Sequence, residues 1–189
     1  MPEGDLVREC LLDEAEMEST IRRLAFEILE RHPDDPVAFV GIYTRGVVFA
    51  DRLHEVVSES NPNVQQGTLD ITLYRDDLDN LGTIPTVQSS NLPFDVEDST
   101  IILMDDVLFT GRTTRAAIDV VMDFGRPHRI ELCVLVDRGN RELPIAPDYT
   151  GRYVQTGANQ YINVRFEETD DQEGVFLLRE PDGEGGSTS

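Results

Sequence analysis

The sequence predicts an α/β fold built on a mainly parallel central sheet flanked by helices. Three observations predict it. Short, nearly continuous apolar runs stand at 37–43, 101–104 and 130–136, segments of helical periodicity alternate with them, and each run gives way to a small polar loop. A strand whose apolar residues do not alternate is covered on both faces, as helices lying over a parallel sheet would cover it.

The elements follow in order. From 13 to 31 the residues Met17, Ile21, Leu24, Ala25, Ile28 and Leu29 recur at helical spacing, and His32-Pro33 closes this amphipathic helix. Residues 37–43 form a buried strand and 47–57 a helix, with Thr44-Arg45-Gly46 between them. A strand is expected at 68–73, then a long, polar, mobile excursion over 74–98 that contains Gly82, Pro85 and Pro93. Ile101 to Met104 make a second buried strand, 105–113 a loop and 114–124 a helix, which Gly125 and Pro127 end. Residues 130–136 give a further strand and 137–147 a loop. Two late strands are expected at 161–166 and 174–178, joined by the acidic stretch 167–173. One domain spans 1–179, and the Gly-, Ser- and acid-rich tail 180–189 is too polar to fold.

Composition bounds the functional classes. Sixteen basic residues, all Arg, stand against 37 acidic ones, a formal net charge of -21. Long-range attraction to a polyanion is therefore absent, and the acidic, Lys-free surface fits either adaptation to high salt or a coding bias. No run reaches the roughly 20 apolar residues of a membrane span, and the first ten residues lack a signal core, so a cytoplasmic protein is expected. Cys10 and Cys133 sit among apolar neighbours and read as small buried side chains rather than a disulfide.

Ligands of an open α/β sheet bind beyond the carboxyl ends of its strands. Three runs end there in polar residues: Thr44-Arg45-Gly46, Asp105 onward, and Asp137-Arg138-Gly139. At the second, Thr110-Gly111-Arg112-Thr113-Thr114 joins a strand to a helix N-terminus. Unpaired amides, hydroxyls and the positive end of the helix dipole converge there, which suits a phosphate. The adjacent carboxylates Asp105 and Asp106 can accept hydrogen bonds from sugar hydroxyls. Strand, acid pair and anion cradle thus lie within a few residues of one another.

This stretch, IILMDDVLFTGRTT, resembles the signature of type I phosphoribosyltransferases that binds 5-phosphoribosyl-1-pyrophosphate (PRPP). VGIYTRG, DITLYRDDL, TGRTTRAAIDVVMDFGRP and LVDRGNRELPIAPDYTGR narrow the resemblance to the PyrR family, bifunctional pyrimidine regulators and uracil phosphoribosyltransferases. The likeness implies the type I fold with a small hood and a mobile loop. It implies that Asp105 and Asp106 hold the ribose hydroxyls and that Val107, Leu108 and Phe109 bind PRPP or UMP together with the 5-phosphate loop of Thr110, Gly111, Arg112, Thr113 and Thr114. Thr44, Arg45 and Gly46 would bind pyrophosphate through a strained peptide, and Arg75 would close over it during turnover. Val136, Asp137 and Arg138 would read the uracil edge, with Ile162 covering the ring. Mg²⁺ would be held by substrate oxygens and not by a protein cage, and the chain would form a homo-oligomer.

The reaction so implied joins uracil to PRPP, giving UMP and pyrophosphate. Purine-using relatives commonly carry Asp where this chain has Phe109, which argues against a purine; orotate is excluded less cleanly. The same resemblance implies binding of pyrimidine-operon leader RNA, for which Arg22, Arg23, Arg138, Arg141 and Arg152 are the basic candidates. Phe26, Asn140 and Ala146 stand where the family's RNA surface usually has basic or histidine side chains, which weighs against RNA. An alternative is a nucleotide-sensing RNA-binding protein whose catalysis is vestigial.

Overall fold

A computed structural model describes residues 7–33, 35–72 and 89–179. In chain order these form β1 (Val7–Leu12), α1 (Glu14–Arg31), β2 (Val37–Ile42), α2 (Arg45–Ser58), β3 (Gln65–Leu69), β4 (Thr100–Leu108), α3 (Arg112–Phe124), β5 (Arg129–Asp137), β6 (Tyr149–Tyr153), β7 (Gln160–Arg165) and β8 (Gly174–Arg179). The central sheet runs β3-β2-β4-β5-β6 with every neighbouring pair parallel. The chain steps outward from β2 to β3 and then returns past β2 to β4, so the winding reverses between β2 and β4. At such a reversal the loops leaving the two strands diverge and open a crevice.

Alternate residues of each inner strand feed two cores. Val37 and Phe39 of β2, Ile102 and Met104 of β4, and Cys133 and Leu135 of β5 pack with buried residues of α1 and α2. Val40, Ile101, Leu103, Leu132 and Val134 pack on the other face with Ala116, Ala117, Val120 and Val121 of α3. Each fully buried aliphatic side chain contributes about 1.5–3 kcal/mol, which explains strands with no polar alternation. Helix α1 starts where expected because Asp13 accepts from the Glu16 amide at 2.9 Å while the Glu16 carboxylate accepts from the Asp13 amide at 3.1 Å.

The two late strands join β1 in a separate antiparallel sheet, β1-β8-β7, which is the hood. Its residues Val164 and Val175, with Phe166 just after β7, pack into the core on the α1 and α2 side.

Several expectations need correction. Strand β4 does not stop at Met104 but continues through the acid pair to Leu108, because pairing with β5 persists to Leu108 and Asp137. Strand β3 begins at Gln65 and ends at Leu69, not at 68–73. Cys10 is exposed, since β1 is an outer strand of the hood and it is its end, at Leu11 and Leu12, that reaches the core. Cys133 is buried as expected, and that burial pushes its thiol far up. The tail 180–189 and most of the excursion lie outside the described residues.

Candidate active site

A cleft of about 450 Å³ opens at the carboxyl ends of β2, β3 and β4, at the winding reversal. Tyr43, Thr44 and Arg45 line it from the turn after β2, Asp105, Asp106 and Val107 from β4, and Thr113 from α3. Asp70, Ile71 and Thr72 complete it from the end of β3. Of the residues expected to bind PRPP, Thr44, Arg45, Asp105, Asp106, Val107 and Thr113 line this cleft, whereas Gly46, Leu108, Phe109, Thr110, Gly111, Arg112 and Thr114 do not.

The turn after β2 is pressed against β4. A side chain on Gly46 would place Cβ 2.5 Å from the Met104 carbonyl, and one on Gly41 would meet the Val47 Cα at 2.5 Å. Two glycines thus let the α2 N-terminus sit directly beside the acid pair. The Tyr43–Thr44 peptide bond is cis.

Asp105 is buried and Asp106 partly exposed, and the Asp105 carboxylate accepts from the Asp106 amide at 3.0 Å. Burial first, and the neighbouring Asp106 carboxyl second, hold Asp105 well above the usual carboxylate range. Burial raises Asp106 as well, against the opposing pull of its hydrogen bond with Asp105 and the charge of Arg45. The two acids compete for one negative charge, and a ligand that donates hydroxyls or brings a cation would relieve that competition.

The loop before α3 is short. Gly111 adopts a left-handed conformation (φ 92°) at the helix N-cap, and Thr110 Oγ1 accepts from the Arg112 amide at 3.3 Å. The Thr110 carbonyl is taken by the amides of Glu142 and Leu143, which fixes this loop to the one after β5. The amides of Thr113 and Thr114 donate to no acceptor among the described residues, and the Thr114 hydroxyl is buried without a partner there. Unpaired donors at a helix N-terminus are what an anion binds.

The residues expected to read the base lie at the end of β5 and beyond, outside the lining of this cleft. Val136 is fully buried in the core, and Ile162 packs against that core from β7. Arg138 is held inward: its guanidinium stacks 3.8 Å from the Phe109 ring and donates to Thr156 Oγ1 and the Gln160 carbonyl. Asp137 accepts from the Gly139 amide at 2.9 Å and pairs with Arg141 at 2.6 Å. Arg75 lies outside the described residues.

The basic candidates separate into two groups. Arg141 spans the loops, donating to the carbonyls of Phe109, Gly139 and Ile145, so it ties the anion loop to its neighbour. Arg22, Arg23 and Arg152 occupy α1 and β6: Arg22 pairs with Glu18, Arg23 with Glu27 and the Thr150 and Gly151 carbonyls, and Arg152 with the Leu11 carbonyl. Phe26 is exposed, while Asn140 donates to the Thr156 carbonyl.

Sequence reasoning missed the Asp70–Thr72 wall as cleft lining. The signal was present, for Asp70 follows a strand of the same sheet edge, but the strand was placed three residues too far along the chain.

Comparison with known proteins matches the phosphoribosyl transferase domain over residues 8–171. Relatives named bifunctional protein PyrR are 48% identical in Desulfosudis oleivorans (90% of this chain, 96% of the relative) and 46% in Elusimicrobium minutum (91% and 97%). The chain belongs to the PyrR family of phosphoribosyltransferases. The type I fold is shared with hypoxanthine phosphoribosyltransferase from Trypanosoma cruzi in a ternary substrate complex (TM-score 0.72, 17% identity, 93% of this chain and 96% of that one). A Staphylococcus aureus hypoxanthine phosphoribosyltransferase superposes with a TM-score of 0.67 at 18% identity, covering 96% and 97%. At such identities these hypoxanthine phosphoribosyltransferases inform on the fold of this PyrR-family chain alone.

Proposed function

We propose that this protein transfers the phosphoribosyl group of PRPP to uracil, releasing UMP and pyrophosphate in the cytoplasm, and that it also binds pyrimidine-operon RNA in response to UMP. The observation that carries the reading is the meeting, on one cleft, of the Asp105–Asp106 pair, the Arg45 turn and the start of α3.

The parts divide the labour by charge. The start of α3, from Gly111 to Thr114, receives the 5-phosphate, and its fixed dipoles need no reorganisation to do so. Asp105 and Asp106 accept from the ribose hydroxyls and face the positive charge that builds on the sugar as its bond to pyrophosphate breaks. Arg45 supplies positive charge on the side of the leaving group, and Arg75 would add more when the excursion closes. Uracil N1 then attacks C1 and loses its proton. The Phe109 ring, stacked on Arg138, offers no acid for a purine ring nitrogen, which supports a pyrimidine acceptor.

Among the described residues no cluster of three or more His, Cys, Asp or Glu could hold a metal. Mg²⁺ carried in by PRPP oxygens would meet the adjacent carboxylates of buried Asp105 and partly exposed Asp106. Bound there, it would neutralise the departing pyrophosphate. The RNA half rests on Arg22 and Arg23 of α1 and Arg152 of β6.

Incubating the protein with PRPP and Mg²⁺ and offering uracil, orotate and hypoxanthine in turn tests the enzyme. UMP from uracil alone is the expected product, and none under folding conditions rejects the proposal. For RNA, a gel shift with leader RNA that UMP strengthens is expected; a shift no different from unrelated RNA removes that half.

A further inference from the structure

Arg45, on the turn that faces the leaving group, is not a loosely held side chain. Its Nη2 donates to Asp170 Oδ1 at 2.7 Å and its Nε to Asp170 Oδ2 at 3.2 Å, a bidentate fork 125 residues away in sequence. Asp170 is itself anchored: Oδ2 also accepts from the Thr169 hydroxyl at 2.9 Å and the Phe166 amide at 3.3 Å, and the Asp170 amide donates to the Phe166 carbonyl at 2.7 Å. The loop that carries it is clamped in turn by Arg52, which pairs with Glu168 and Glu173 and stands over the Phe166 ring. Arg45 and Arg52 are seven residues apart on α2, two turns along one face, so a single helix face grips the hood's hairpin loop at both ends. On its other side Arg45 acts on Asp106, whose carboxyl its charge draws down.

From this geometry we infer that Asp170 is a positioning residue for PRPP binding: it holds the Arg45 guanidinium, through a fork fixed to the hood, in the orientation that meets the pyrophosphate. The inference rests on the phosphoribosyltransferase reading and adds to it a residue from a loop that lines no part of the cleft. A flexible arginine that must be ordered at each binding event loses affinity in proportion to the freedom it gives up, whereas one held by a bidentate carboxylate does not. The sign of the effect is diagnostic. Removing a negative charge beside a site for a polyanion should by Coulomb's law tighten binding; loss of positioning weakens it.

The experiment measures PRPP binding with Mg²⁺ by calorimetry for the full-length protein, Asp170→Asn, Arg45→Ala and the double variant, with UMP as the control ligand. Asp170→Asn keeps the side chain's shape but cannot accept the fork. It is expected to raise the PRPP Kd roughly fivefold to tenfold, within the range of one ordinary hydrogen bond's net contribution, and to leave the UMP Kd unchanged because UMP lacks pyrophosphate. The double variant should be no weaker than Arg45→Ala alone, and Asp170→Glu should recover part of the loss. Tighter or unchanged PRPP binding in Asp170→Asn, additive losses in the double variant, or an equal loss for UMP would each overturn the inference. Wild-type protein that binds PRPP but makes no UMP would count against the uracil reaction without touching this result, and wild-type protein that does not bind PRPP would overturn both.

Discussion

At the scale of single residues, the acid pair decides most. Asp106 is the partly exposed member, so a hydroxyl-bearing ligand meets it without displacing the core. Asp106→Asn removes a negative charge facing the sugar while keeping the shape, and kcat/KM is expected to fall roughly a hundredfold, as for other lost electrostatic contacts at a reacting centre. Steady-state rates beside an unchanged melting temperature check it; a near-normal rate removes the ribose role. The pair also has a signature in stability. Asp105 titrates above its unfolded value, so the folded protein binds a proton that the unfolded chain lacks, and stability rises as pH falls toward about 4. Wild type should therefore gain in melting temperature on Asp105→Asn as pH drops from about 8 to 5, while a constant difference would show that Asp105 is ordinary. Glu131 behaves oppositely. Its burial alone would raise it, yet bonds from the Tyr149 hydroxyl at 2.7 Å and His32 at 3.0 Å, with Arg129 beside it, pull it below its ordinary range. Its stabilisation is present above about pH 4.3 and is lost as pH falls through the lowered value. Glu131→Ala, which strands His32 and Tyr149, is expected to cost about 3 kcal/mol in urea unfolding.

At the scale of elements, the cleft exists because α2 starts against β4. Gly46→Ala would drive a methyl into the Met104 carbonyl at 2.5 Å, and both groups belong to backbone that packed elements hold. The helix start must then back away, at a cost of about 1–3 kcal/mol, and PRPP affinity should fall more than UMP affinity because the pyrophosphate turn moves. Unfolding curves together with both binding constants test this, and unaltered PRPP binding would show that the turn does not touch pyrophosphate. The same scale shows what the sequence could disclose. Apolar runs announced β2, β4 and β5 because both faces of each are buried, and apolar residues at helical spacing from Met17 to Leu29 announced α1. Strand β1 was not foreseen, since Arg8, Glu9 and Cys10 are exposed on an outer strand and, among its described side chains, only Leu12 is fully buried. Strand β6 was missed for a related reason: Thr-Gly-Arg in its middle reads as a turn, yet Gly151 is needed there because a Cβ would strike the Leu135 carbonyl at 2.3 Å. The acid pair and anion loop were legible because they are contiguous in sequence. The Asp170 fork was not, for it joins the start of α2 to a loop that looked like a mere acidic connection, and only folding brings them together.

At the scale of the whole molecule, charge sets the terms. With 37 acidic residues against 16 arginines, even complete pairing of the arginines leaves an excess of negative charge on the surface. Several arginines are already committed, Arg112 to Glu142, Arg115 to Asp119 and Arg52 to two glutamates. Salt acts on this surface in two opposing ways. It weakens exposed pairs such as Arg22–Glu18, each worth at most about 1 kcal/mol, and it screens the repulsion among the unpaired acids. A net charge of -21 makes repulsion the larger effect, because it sums over all acids while each pair acts locally. The melting temperature is therefore expected to rise by several degrees between about 0.1 M and 2 M KCl, where the screening length shrinks from about 10 Å to below 3 Å. RNA binding through Arg22, Arg23 and Arg152 should move the other way, its affinity falling steeply over the same range. A melting temperature that drops with KCl would mean that the local ion pairs outweigh the global field, and the acidic surface would then need an explanation other than salt.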